Sequence, residues 1–207
     1  QTAGEIRETW GVKTLVSRCD VSRLPEIRQT VDATVKEMGG LDILVNNAGI
    51  NIRETALEVS EEHWDKILSV NLKGVFFFAQ AAGRFMAKQK SGKIINMASI
   101  QGVTANVMRT AYCASKGGVI QTTKQLAVEW AQYNIQVNAI GPSFFVTPMN
   151  KPLFDDKEFS AFIDRGTPLG RPGQPEELGG TVVFLASAAS NFVTGHTLMV
   201  DGGWTIT

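Results

Sequence analysis

Tyr112 and Lys116, in the stretch Thr110-Ala111-Tyr112-Cys113-Ala114-Ser115-Lys116, stand four residues apart. On a helix that spacing puts both side chains on one face, a turn apart. A free phenol ionises near pH ~10 and is a poor base at neutral pH. An ammonium beside it favours the phenolate and lowers that value. A drop of about 3 units corresponds to roughly 4 kcal/mol of differential stabilisation. The pair therefore predicts a tyrosine that passes a proton near pH ~7, with lysine as its electrostatic helper. Cys113 sits beside Tyr112 but faces away on a helix, which predicts packing rather than chemistry.

The elements that would hold this pair alternate between strand and helix. Residues 1–10 read as an amphipathic helix end, and 12–19 as a β-rich alternating strand that turns at Asp20-Val21-Ser22. Ser22 predicts a cap for a helix reaching Met38, stopped by Gly39-Gly40. Residues 41–45 form a short apolar run suited to a strand buried on both faces, followed by the turn Asn46-Asn47-Ala48-Gly49. A helix opens at Ser60-Glu61-Glu62, breaks near Asn71 and Gly74, and continues to Lys90. Residues 93–98 and 135–140 read as further strands, the latter ended by Gly141-Pro142, with a long helix over 110–133 between them. The Pro- and Phe-rich stretch 150–173 reads as irregular, within a candidate substrate lid over 143–173. A helix from Pro175 to Ala188 and a last strand over 196–200 lead to Asp201-Gly202-Gly203-Trp204.

Such alternation predicts βαβ units: an α/β, Rossmann-like, doubly wound parallel sheet in a single domain over 1–207. Ligands of these sheets sit beyond the carboxyl ends of the strands, where Asn46 to Gly49, Ser99 and the 142–147 segment fall.

Composition narrows the partners. The 207 residues carry 20 acidic and 20 basic groups and are 43% hydrophobic, which disfavours nucleic acid or an anionic membrane as partner. The longest uncharged run, 178–200, is rich in Gly, Ser, Thr and Asn and reads as helix, turn and strand rather than a membrane span. Cys19 and Cys113 are too few for a disulfide framework and suit a reduced, cytoplasmic setting. His63 and His196 lack metal-ligand spacing, so no metal site is expected.

Taken together, Asn46-Asn47-Ala48-Gly49, Asn71, Ser99, Tyr112-x-x-x-Lys116, Val137-Asn138-Ala139-Ile140, Pro142, Thr147 and Asp201-Gly202-Gly203 resemble the short-chain dehydrogenase/reductase family. The likeness runs from about residue 10 to 204. It implies an NAD- or NADP-dependent oxidoreductase that interconverts a secondary alcohol and a ketone. Tyr112 would move the proton, Ser99 would hydrogen-bond the substrate oxygen, Lys116 would hold the nicotinamide ribose, and Asn71 would position a relay water. Asp20, Val21, Asn46, Ala48, Gly49, Pro142, Ser143 and Thr147 would contact the cofactor together with Tyr112 and Lys116. Ser143 departs from the family's usual Gly at that place. Homotetramers built through the two long helices are common in the family.

The family also opens on a strand, a Gly-rich turn and a helix that cradle the pyrophosphate. That glycine pattern does not occur in these residues, and the expectation is a working protein with roughly 40 more N-terminal residues. The segments 47–53, 71–76 and 127–131 most resemble members acting on sugar acids and polyols such as gluconate. The 3-oxoacyl-acyl-carrier-protein reductases are the alternative, and a non-catalytic oligomer scaffold is an alternative of another class. Arg53 would bind a sugar-acid carboxylate in bidentate fashion, with Arg109 as a second candidate.

Overall fold

The computed structural model describes residues 2–147 and 151–207; Gln1 and residues 148–150 of the lid segment lie outside the described residues. Four strands form one parallel sheet in the order β1 (Ile43–Asn46), β2 (Gly92–Met97), β3 (Ile135–Pro142), β4 (Thr197–Val200). The helices are α1 (Thr2–Trp10), α2 (Leu24–Met38), α3 (Glu61–Leu68), α4 (Val75–Gln89), α5 (Thr110–Trp130), α6 (Lys157–Gly166) and α7 (Glu176–Ala186).

Strand pleating divides the core between two faces. Adjacent residues of β2 point oppositely: Ile94 joins Ala79, Ala82 and Met86 of α4 and Leu126 and Ala127 of α5, whereas Ile95 joins Ile140 and Leu185 of α7. These side chains are almost wholly buried. At ~1.5–3 kcal/mol per large apolar side chain, the two faces make the sheet a rigid platform for whatever stands at its carboxyl edge. Helix α2 packs outside α4 through Ile27, Val31 and Ala81.

Several local expectations hold for the reasons given. Gly39 adopts the left-handed conformation (φ 84°) and its N–H returns to Val35, ending α2. Ser60 Oγ accepts from the N–H of His63 (3.2 Å), capping α3. The expected break near Asn71 and Gly74 is a π-helical turn, Ser69–Gly74, joining α3 to α4.

Others are corrected. Residues 12–19 form no strand. Their alternation is real, but a strand exists only where a neighbour accepts its ladder hydrogen bonds, and among the described residues β1 pairs with β2 alone. Thr14 instead binds back to α1, accepting from Arg7 and donating to the Ala3 carbonyl. For the same reason β1 is not buried on both faces: Ile43 and Val45 are about two-fifths exposed, while Leu44 packs inward. Ser22 is not a helix cap; its N–H and hydroxyl both bind the Asp20 carboxylate (2.9 and 2.7 Å), and α2 starts later, with Arg23 at the cap. The stretch expected to be irregular contains α6, capped by the Asp156 carboxylate.

One glycine is needed for close approach. A Cβ on Gly74 would lie 2.6 Å from the Val21 carbonyl oxygen, so the π turn and the 20–22 turn meet backbone to backbone. Gly74→Ala is expected to destabilise the fold by about 1–3 kcal/mol in urea unfolding, because the obstructing atom is main chain and has nowhere to rotate.

Candidate active site

Ser99 follows β2 at the head of a short 3-10 turn, Ile100–Gly102, and is 8% exposed. Its Oγ accepts from the N–H of Gln101 (3.2 Å). Tyr112, on the first turn of α5, lines the same cleft as Ser99, and the Ser99 side chain acts on its phenol in the direction that lowers its pKa. Two residues 13 apart in sequence, on separate elements, are thus brought to one cleft.

The electrostatics differ from the expectation. Burial is the largest influence on Tyr112 and holds its phenol above the ordinary value; the Ser99 side chain and the Arg109 charge act in the other direction without overcoming it. The Lys116 ammonium lies over the ring, 5.6 Å from the centroid, and donates to the Met97 carbonyl at 2.6 Å. Lys116 is 4% exposed, and burial brings its own pKa down to about 8. At pH ~7 the pair is therefore a neutral phenol beside an ammonium that is still mostly charged.

Asn71, fully buried in the π turn, ties three elements together. Its Oδ1 accepts from the Ile50 N–H (2.8 Å), and its Nδ2 donates to the Ile50 carbonyl (2.8 Å) and to Ser115 Oγ (3.2 Å). Gly49 passes close by: a Cβ there would stand 3.5 Å from Asn71 Oδ1 and 3.7 Å from Lys116 Nζ. Backbone, amide and ammonium thus converge at one point.

The first cleft, about 210 Å³, runs along β1 and past its end, lined by Leu44, Val45, Asn46, Ala48, Val21 and Phe78 among others. The second, about 250 Å³, holds Arg53, Ser99, Arg109, Tyr112 and Ser143 against a wall of Phe144, Phe154 and Phe159. Of the residues singled out in the sequence, Val21, Asn46 and Ala48 share the first and Ser99, Tyr112, Arg53 and Ser143 the second. Gly49, Asn71 and Lys116 line neither. Asp20 precedes Val21 with its carboxylate bound to Ser22, which lowers its pKa. Pro142 ends β3 and Thr147 follows on the loop; neither is among the residues lining these two clefts. Among the described residues no cluster of three His, Cys, Asp or Glu is arranged to hold a metal, and both cysteines are free.

Sequence reasoning missed the polar support beneath the site. Asn46 Nδ2 donates to Asn96 Oδ1 (2.9 Å), and Asn96 Nδ2 donates to Thr123 Oγ1 (3.0 Å), linking β1, β2 and α5 inside the core. The strand register that faces Asn46 with Asn96 creates this chain, and neither residue signals it alone. Gln101, 4% exposed on the cleft wall, was likewise unmarked.

Comparison with known proteins places this geometry in context. A family model described as enoyl-(acyl carrier protein) reductase matches residues 1–205. The chain is 45% identical over 195 residues to 2-dehydro-3-deoxy-D-gluconate 5-dehydrogenase of Escherichia coli (strain K12), covering 94% of this chain and 77% of that protein. It is 43% identical over 187 residues to a 3-oxoacyl-acyl-carrier-protein reductase of Thermotoga maritima, covering 90% and 75%. Among solved structures, a gluconate 5-dehydrogenase of Burkholderia cenocepacia J2315, in complex with NADP and tartrate, superposes with a TM-score of 0.95 at 42% identity, over 100% of this chain and 80% of that one.

The buried lysine makes stability depend on pH. Its folded pKa of about 8 lies below the unfolded value of 10.5, so the unfolded chain binds more protons between those values. Unfolding free energy from this group therefore rises with pH across that window and is smallest below pH ~8. Lys116→Met is expected to flatten the rise by up to about 3 kcal/mol. Urea unfolding of both proteins at pH ~7 and ~10 measures the difference.

Proposed function

The chain belongs to the short-chain dehydrogenase/reductase family, and from that premise we propose that it oxidises the secondary alcohol of a sugar acid such as gluconate, and reduces the matching ketone, with Tyr112 as the acid–base. The observation that carries this reading is that Ser99, Tyr112 and Arg53, from three separate elements, line one cleft. The activities of the relatives, 2-dehydro-3-deoxy-D-gluconate 5-dehydrogenase among them, support the same reading.

The residues fit a nicotinamide dinucleotide. Gly49 offers bare backbone beside Lys116 and Asn71, and the adjoining cleft is lined by Ala48 and Val21. Lys116 and Tyr112 would hold the nicotinamide end, Pro142, Ser143 and Thr147 would flank it, and Asp20, Val21, Asn46 and Ala48 would hold the adenosine end. When bound, NAD or NADP supplies or accepts the hydride.

The protein's own part is the proton. Burial keeps the Tyr112 phenol protonated, which readies it to donate to a ketone oxygen during reduction. In oxidation the alcohol proton must pass to Tyr112 Oη as its own proton leaves. The Ser99 hydroxyl and the Arg109 charge stabilise the oxyanion at that moment. Asn71 fixes Gly49-Ile50 against α5 and would position a water leading from Lys116 to solvent. The aromatic segment within 143–173 would close over the substrate and exclude water.

A second reading, 3-oxoacyl-acyl-carrier-protein reduction, is favoured by the phenylalanine wall and by the Thermotoga maritima relative. The intact Ser99, Tyr112 and Lys116 weigh against a non-catalytic scaffold. We place the protein in the cytoplasm as a homotetramer assembled through its long helices, without nucleic acid or membrane partners. Exposed Val128 on α5 supports the helix-mediated assembly, and no helix of the described residues is long and apolar enough to cross a membrane.

Tyr112→Phe is expected to lower kcat/KM for gluconate oxidation by about 10²–10⁴-fold, and Ser99→Ala by about 10²–10³-fold. Steady-state rates with both nicotinamide cofactors measure this, and undiminished turnover by Tyr112→Phe would overturn the assignment. Arg53→Ala is expected to raise KM for gluconate about tenfold. A 3-oxoacyl thioester reduced faster than the keto acid would select the second reading.

A further inference from the structure

Arg53 and Arg109 reach one cleft from different parts of the chain. Arg53 lies on the loop after β1, and Arg109 immediately precedes α5. A parallel β-bridge joins Glu54 to Arg109, and the Glu54 N–H donates to the Met108 carbonyl (3.3 Å). Met108 holds the left-handed backbone conformation (φ 59°), which bulky side chains rarely adopt. A strained residue and a two-loop bridge thus keep two guanidinium groups on the rim of the same 250 Å³ space as Ser99 and Tyr112.

Among the described residues lining that space, none balances them. Its lining residues are Asn, Arg, Ser, Ile, Gln, Tyr and Phe, with no carboxylate. The nearby acid, Glu54, is turned to His63, whose Nδ1 lies 2.7 Å from its Oε1. The repulsion between the two arginines and the partial burial of Arg109 register as a lowering of the Arg109 pKa, burial being the larger cause. Two like charges held together at a cleft without a counter-charge are a standing demand for an anion.

We infer that Arg53 and Arg109 act as a pair that closes on the acid group of one substrate from two loops, so that the cleft takes hydroxy and keto acids and turns away neutral polyols. This rests on the sugar-acid reading above and sharpens it: the acid end is what the protein recognises, and Arg109 reads it beside the reacting oxygen.

The test is calorimetric titration of the full chain with malonate, a small diacid that presumes no sugar, alongside gluconate and the neutral polyol glucitol. Malonate and gluconate are expected to bind, and glucitol far more weakly. Arg53→Gln and Arg109→Gln are each expected to weaken malonate about tenfold to a hundredfold. Phenylglyoxal labelling of the unmutated protein, read by peptide mass spectrometry, needs no variant to fold: malonate is expected to protect both arginines. Equal labelling of Arg109 with and without malonate, or no malonate binding, overturns the pair. Malonate binding through both arginines, with gluconate neither bound nor oxidised, leaves the pair standing and removes gluconate as substrate. Malonate indifferent to Arg109 while gluconate is oxidised does the reverse.

Discussion

A carboxamide sealed from water must find partners for two donors and an acceptor or cost several kcal/mol. Asn71 meets that demand by gripping the Ile50 backbone at both N–H and carbonyl and by reaching Ser115 on α5. Ser115 in turn donates to the Tyr112 carbonyl (2.7 Å), so the grip extends to the residue that would move the proton. The loop after β1, the π turn and the start of α5 are thereby fixed to one another by one side chain. Arg53 follows that loop three residues later, and Lys116 follows Ser115 directly. Loosening the amide would slacken both clefts at once.

The charged groups have settled into a division of labour set by burial. Desolvation presses on Tyr112 and Lys116 in opposite senses, raising the phenol and lowering the ammonium, and each is drawn toward neutrality. The Met97 carbonyl gives the ammonium a compensating partner, while Ser99 and Arg109 give the phenolate one. At rest the Tyr112 phenol keeps its proton, and under the proposed mechanism Ser99 and Arg109 would act when that proton departs. Preorganised donors of this kind are most effective where water is scarce, which is where these residues sit.

Much of this was legible in the chain. The i,i+4 spacing of Tyr112 and Lys116, the cap at Ser60, the stop at Gly39 and the apolar runs of β2 and β3 rest on local rules that tertiary structure did not override. What failed was non-local. Residues 12–19 look like a strand, but pairing belongs to a neighbour and not to the segment itself. Ile43 and Val45 read as core residues, yet a covering layer decides that, and none covers them among the described residues. The polar chain Asn46–Asn96–Thr123 depends on strand register, and the raised phenol depends on burial; neither is a property of spacing. Ser22 was misread because Asp20 two residues earlier competes for its hydrogen bonds.

The π turn between α3 and α4 has a geometric consequence of its own. Each residue of an α-helix advances the azimuth by about 100°, so one extra residue in a turn rotates everything beyond it by that angle. Beyond it Ala79, Ala82 and Met86 pack against the sheet, so the angle added in the turn is part of how α4 is presented to β2. Shortening Ser69–Gly74 by one residue would regularise the helix while swinging α4's inward face away from β2. The irregularity that looks like a defect in the helix is what lets a buried amide and a packed helix occupy consecutive turns.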